Sequence, residues 1–470
     1  MGKQETAAAS LGGNTKLLIQ WLIAIGVPVL IYFGIPQTAA VSLEMRKFFT
    51  ITIWAILTWA MNLMPGYVAG LLLTMLGILW NVAPSSVILG PWTGSVVWMS
   101  LGGLTLSAIF ESSGLMERIA YFFIVKSGCS YKGICIGIVL SGIIVALMVP
   151  NMTGRVALYC VLCYGIYNAL KIQKNSNTGA GIMFAGFTAA IAPAWLFLSA
   201  SENLQLVNSY LQEQGSSVTW MEYFISNFPV MLIWTIVLIA MTLFMFKQDI
   251  EIDGKEYFVQ KQKELGPLKP KEIKFMGVLV VLLIAIMFSG IDAGWLFPLA
   301  TIVCFLPGIN VAEEKDLKKV NFTMVFFVAA TMSIGNMSNA VGVADLVGSL
   351  LKPFLENVGN FGLLIFAWLA GVIADKLMTP LAGQAAFVPL FIGIAQNLGL
   401  SLKGVSFSFL WGVEQLCFPY EWALFLILFS YDVFDMKKAI KWCTARTILS
   451  LIFLMALIYP YWSITGFLSV

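Results

Sequence analysis

Histidine is absent from all 470 residues of the chain. That removes the commonest proton relay at neutral pH and the commonest metal ligand. No Ser-His-Asp triad or HExxH site can be assembled, no P-loop is present, and any proton coupling falls to Asp, Glu or Lys. Charge is also scarce. Only 11% of residues are charged, against roughly 25% in soluble domains. A net charge of +3 without a basic block gives no sign of nucleic acid as a partner. The seven cysteines lie mostly inside apolar runs and lack CxxC metal spacing, which reads as packing. Chemistry on a substrate is not expected, nor is a cofactor.

What is present is apolar sequence. Hydrophobic residues make up 59% of the chain, and mean hydropathy is +0.89. Apolar runs of about 18 to 25 residues recur between Lys16 and Tyr461, each long enough to span a bilayer as a helix. Backbone groups in hydrocarbon must pair within their own helix, and no β-barrel alternation appears. The expected fold is an all-α polytopic membrane protein with about eleven transmembrane helices and two re-entrant hairpins. The run Leu17–Phe33 lacks a small-residue cleavage site after it and reads as a retained first helix.

Lysine and arginine in short loops set the orientation. With a cytoplasmic N-terminus, helices are predicted over Phe49–Met61, Tyr67–Trp80 and Val96–Phe110. A re-entrant hairpin over 133–170 is broken at VPNMTG, and a helix over 179–211 is interrupted at LSASEN. Trp220–Phe246 returns to a polar linker, 247–274, that carries seven lysines against six acids. Helices follow at Phe275–Ser289, Trp295–Leu306 and Met324–Val343, with a charged surface turn VAEEKDLKK between the last two. A second hairpin over 362–395, broken near LMTPLAGQAAF, enters from the opposite side. Another interrupted helix, 404–429, passes through CFPYEW. Every large lysine cluster then falls on one side.

The two halves match in an inverted sense. LMVPNMTGRVA (Leu147–Ala157) and LMTPLAGQAAF (Leu377–Phe387) share a Leu-Met-x-Pro frame, and an interrupted helix follows each. Paired broken helices in inverted repeats point to a transporter's midplane site. Half-helix N-termini there suit anions, and carbonyls freed at the breaks can hold a hard cation such as Na+.

With these motifs, and with WMSLGGLTLSAIFESSGLMERIA (Trp98–Ala120), the chain resembles the divalent anion/sodium symporter family over roughly 50–462. The resemblance implies a homodimer in a cell (inner) membrane, working as an elevator. Scaffold helices would occupy 1–126 and 275–350. Transport-domain halves would occupy 127–248 and 351–470, with a cytoplasmic linker at 249–274. Typical members carry Ser-Asn-Thr at each tip. Here the first tip reads Pro150-Asn151-Met152, closer to a Pro-x-x-Thr-x-Arg variant, and the second, near Thr379-Pro380-Leu381, lacks the asparagine. That departure bears on both the substrate and a two-sodium scheme.

Candidate substrate ligands are Asn151, Thr153, Gly154, Arg155, Thr379, Gly383 and Gln384. Candidate cation-coupling groups are Asn151, Ser199, Glu202, Thr379 and Glu421, with Na+ at the hairpin tips. An arginine at membrane depth demands a partner. Arg155 can bind a substrate carboxylate or sulfonate, replace a sodium charge as a built-in cation beside Glu202, or snorkel to the surface. Its counterpart in the repeat is the neutral Gln384. Glu414 and Glu421, at i,i+7, would share a helix face. Trp195, Trp411, Tyr420 and Trp422 can stack on a ligand or simply pack. Asp375 and Lys376 read as a local pair supporting the second hairpin. Glu111, Glu117 and Arg118 read as structural.

The expected function is secondary active transport of small organic anions, most simply carboxylates, coupled to Na+ or, failing that, H+. Alternatives are a proton-coupled or exchange carrier for a zwitterion or sulfonate, with Glu202 or Glu421 answering an amine, and a channel-like anion conduit.

Overall fold

The structure is a computed structural model. It describes residues 2–469 apart from 39, 62, 253, 344, 345, 347–357, 419 and 420, with side chains from residue 15 onward except at 423. Tyr420 and the boundary drawn at 350/351 therefore lie outside the described residues. Those residues form helices joined by short turns, with no strand among them. Among the described residues eight helices are long and apolar enough to cross a membrane, and Gly66–Leu79, Ala293–Phe305 and Leu402–Val413 are shorter apolar helices.

Local chemistry explains most boundaries. Many helices open on a Ser, Thr, Asp or Asn whose side chain accepts a first-turn N–H, as Ser42, Ser130, Asn151, Ser176, Asp292, Ser401 and Asp435 do. Thr219 and Glu222 add a reciprocal capping box at Trp220–Met245. The helix expected over Val96–Phe110 runs from Ser95 to Ser113, and a separate helix, Leu115–Lys126, follows it. Gly114 divides them at φ 77°, a left-handed turn that glycine adopts without steric cost.

The first hairpin comprises Tyr131–Met148 and Met152–Ala169, and the second Asn360–Leu377 and Pro380–Leu398. In each, both arms pack on the helix that follows, Asn177–Ile191 or Leu402–Val413. Glycine permits the close approach. A Cβ on Gly142 would lie 2.3 Å from the Ala189 carbonyl oxygen, and one on Gly371 would lie 2.4 Å from that of Phe409. The two helix breaks come just beyond these contacts. Asn177–Ile191 gives way to two short 3-10 turns before Glu202–Glu213, and Leu402–Val413 ends before Ala423–Phe429. Glu414 terminates Leu402–Val413 as its C-cap, so it does not share a helix face with Glu421. Proximity through i,i+7 fails because the helix stops between them.

The linker carries a helix, Lys255–Glu264, lying on Leu115–Lys126. Arg118 holds its far end through the carbonyls of Leu265 and Gly266 and a 3.1 Å ion pair with Glu272. Glu111 pairs with Lys319 at 3.2 Å. These charges join neighbouring surface elements.

Candidate substrate site

The two hairpin tips meet at one cavity of about 370 Å³. Met152 and Thr153 of the first tip and Thr379, Pro380 and Leu381 of the second line it, with Glu202, Asn203 and Trp422 from the interrupted helices. The opposite wall is Trp59, Tyr67, Asn321, Thr323, Met324 and Phe327, from outside both hairpins. The volume suits a small organic molecule.

At the first tip the helix N-terminus is already occupied. Asn151 caps it, its Oδ1 accepting the Gly154 N–H at 2.5 Å, and a Glu202 carboxylate oxygen accepts the Met152 N–H at 3.1 Å. Asn151 itself faces a smaller pocket of about 20 Å³, shared with Glu202 and the helix Ser95–Ser113. At the second tip Thr379 is the N-cap but makes no side-chain cap bond, and Pro380 at the first helical position has no N–H. The Gly383 N–H returns to the Thr379 carbonyl at 2.9 Å. The first-turn donors of this end are therefore Leu381, which lines the cavity, and the buried Ala382 that follows it.

Arg155 is fully buried and does not line the cavity. Its Nη1 donates to the carbonyls of Val149 and, at 2.6 Å, of Ala200, while Nε donates to Ala190 at 3.1 Å. Val149 ends the first hairpin arm, Ala190 lies in the last turn of Asn177–Ile191, and Ala200 belongs to the turn that follows. The guanidinium thus sits on the negative ends of two helices and on the helix break. Among the described residues no ion pair joins it to a carboxylate, and its Nη2 has no hydrogen-bond partner. Burial of this kind is incompatible with snorkelling to the surface.

The other candidates scatter. Thr153 and Thr379 are exposed to the cavity, whereas Gly154 is engaged by Asn151. Gly383 is packed on Val413, and buried Gln384 donates to the Pro380 carbonyl at 3.2 Å. The Ser199 hydroxyl accepts from Trp220 Nε1 at 3.3 Å, away from the cavity. Glu421 does not line the cavity either; one of its carboxylate oxygens accepts the N–H groups of Cys417 and Phe418 at 2.7 and 3.1 Å and pairs with Lys376 Nζ at 2.6 Å. The local pair Asp375–Lys376 is the looser one, at 3.9 Å. Of the aromatics described, Trp422 lines the cavity, while Trp195 and Trp411 are buried and spend their indole N–H groups on Glu414 and the Ser450 carbonyl.

Two features escape sequence reasoning. Buried Glu414 links the halves, accepting from Asn203 Nδ2 at 2.6 Å and from Trp195 Nε1 at 2.8 Å. Buried Arg446 donates to the Glu414 carbonyl at 2.7 Å, at the end of Leu402–Val413. A charged residue inside an apolar run was the available signal; its partner was not. No group of three or more Asp, Glu or Cys side chains with metal-binding proximity occurs among the described residues.

A family described as "Sodium:sulfate symporter transmembrane region" matches residues 15–468. Inner membrane protein YbhI of Escherichia coli K12 is 22% identical over 96% of this chain and 98% of its own. The putative malate transporter YflS of Bacillus subtilis is 21% identical over 76% and 75%. An L-tartrate/succinate antiporter of Escherichia coli K12 is 23% identical over 56% of each. The chain is a multi-pass membrane protein that belongs to the sodium:sulfate symporter family, the divalent anion/sodium symporters.

Proposed function

We propose that the protein is a secondary transporter of small carboxylate-bearing molecules, bound in the cavity between the two tips. The observation that carries this reading is the cavity itself. Residues of both hairpins, both interrupted helices and the facing helices converge on a space of about 370 Å³. A substrate carboxylate is received by the first-turn N–H groups of Leu381 and Ala382 with the Thr379 hydroxyl, where the helix end is not internally capped. The related proteins named for malate and for tartrate and succinate support a carboxylate substrate.

In this reading the hairpins and interrupted helices, 127–248 and 351–470, move as a body against the helices of 1–126 and 275–350. The facing wall of the cavity, Trp59, Tyr67 and Phe327, is the surface they slide past. Homodimerisation, an inner-membrane location and a cytoplasmic N-terminus belong to the same reading.

In this reading coupling does not run through sodium. Carbonyls freed at a helix break are the ligands a sodium ion would use, and here Arg155 occupies three of them. Lys376 ties the second tip to its own helix break through Glu421. With Arg155 on the carbonyls of the first break and Lys376 on Glu421 at the second, protein cations take the places a coupling ion would use, which favours exchange over sodium symport. Purified protein in liposomes should take up labelled malate saturably, with acceleration by unlabelled malate inside. Linear, non-saturable flux would instead indicate a conduit.

A further inference from the structure

The cavity wall carries one charged side chain among its described residues, and it is a carboxylate. Glu202 is half-buried, stands at the start of Glu202–Glu213 and faces the space from the first-tip side. No lysine or arginine lines the wall among the described residues. Arg155, the arginine of the first tip, is turned onto the carbonyls of Val149, Ala190 and Ala200. The first tip's N-terminal donor, the Met152 N–H, is taken by Glu202 at 3.1 Å. A substrate's second carboxylate would have to displace that hydrogen bond and then lie against a like charge. A donor group needs neither change, because a carboxylate offers about four lone-pair positions and Met152 uses one.

Resting on the carboxylate reading above, we propose that Glu202 is a specificity-determining residue that accepts the donor pole of the substrate. The transported molecule then carries a carboxylate at the Thr379–Ala382 end and an ammonium or hydroxyl group at the Glu202 end. Asn203, also on the wall, is held to Glu414 at 2.6 Å. Its amide is thereby fixed, and the discriminating group is its neighbour. Trp59, Tyr67 and Phe327 supply the apolar surface for the methylene chain between the two poles.

The test uses three four-carbon probes of matched length, 4-aminobutanoate, 4-hydroxybutanoate and succinate, on the full-length purified protein. Thermal stabilisation and competition for uptake in proteoliposomes are measured for the wild type and Glu202→Gln. Wild type should prefer either donor-bearing probe to succinate by at least about tenfold, the scale of a hydrogen bond to a charged group. Glu202→Gln keeps an acceptor for Met152 but loses the charge. It should reduce that preference, most for the ammonium probe. The wild-type ranking stands alone should the variant fail to fold. Equal or tighter binding of succinate by the wild type overturns the proposal while leaving a carboxylate carrier. An unchanged ranking in a folded Glu202→Gln protein does the same. If no probe stabilises the protein or competes, and malate is not carried either, the carboxylate reading falls with it.

Discussion

The two hairpin tips share a plan and differ in how each is held. At the first, one arginine on the hairpin gathers three carbonyls from the arm end, the following helix and its break, with no exposure to the cavity. At the second the work is divided. Arg446, from a later helix, meets the end of Leu402–Val413 through the Glu414 carbonyl, and Lys376 reaches the break through Glu421. The helix N-termini differ in the opposite sense, since Glu202 fills the first while the second has no side-chain cap. An inverted repeat therefore gives one tip that is internally neutralised and one that is available. A substrate with two unlike ends fits that asymmetry.

The comparison can be broken most severely at Arg155. Arg155→Met leaves three buried carbonyls without their donor, at about 1–3 kcal/mol each. The detergent-solubilised protein should lose several kcal/mol of stability, read as a large fall in melting temperature. Arg155→Lys, which keeps the charge and part of the donor set, should recover part of it. An unchanged melting temperature for the methionine variant would mean that the guanidinium does not hold the first tip.

The next largest effect is expected where the halves are joined. Glu414→Ala strands the Asn203 amide and the Trp195 indole N–H in a buried site. The cost should be about 2–4 kcal/mol from two lost charged-acceptor bonds, with Glu414→Gln milder. Lys376→Met tests the second tip directly. Its side chain is 30% exposed. The loss should therefore fall below the roughly 3–5 kcal/mol typical of breaking a fully buried pair, and below that of Arg155→Met. A larger loss at Lys376 than at Arg155 would reverse the contrast between the tips.

The smallest effect serves as a reference outside the tips. Asp249, in the linker, faces an unfavourable burial contribution but accepts the N–H groups of Asn177 and Thr178 and the Thr178 hydroxyl, which together hold its carboxyl below the usual range. A folded value lower than the unfolded one, about 3.9, means that the stabilisation is present above that pH. It is lost as pH falls through the lower, folded value. Asp249→Asn should cost about 1 kcal/mol at neutral pH, as a lost helix cap does, and should flatten the acid limb of a stability–pH curve. A pH dependence identical to the wild type would remove Asp249 from that limb.

The sequence made the membrane class, the hairpins and the interrupted helices legible, because proline and polar residues stand out in an apolar chain. It also pointed to the tips as the centre of interest. The partners at the tips were not legible. Arg155 reaches Ala190 and Ala200, 35 and 45 residues away, and only the packing of Asn177–Ile191 against both arms brings those carbonyls under it. Lys376 and Asp375 are adjacent in sequence, yet the lysine prefers Glu421 because that carboxylate is fixed by two backbone N–H groups. Glu414 and Glu421 separate because Leu402–Val413 ends between them, and Ser112-Ser113-Gly114 was a turn signal within an otherwise helical run.

If Arg155 fills a cation position, as proposed, the transporter does not need sodium there. Initial uptake of labelled malate should be measured in proteoliposomes with sodium replaced by choline at constant ionic strength. Exchange should be saturable and unchanged by the replacement. Uptake that collapses without sodium, and recovers with its concentration, would contradict it.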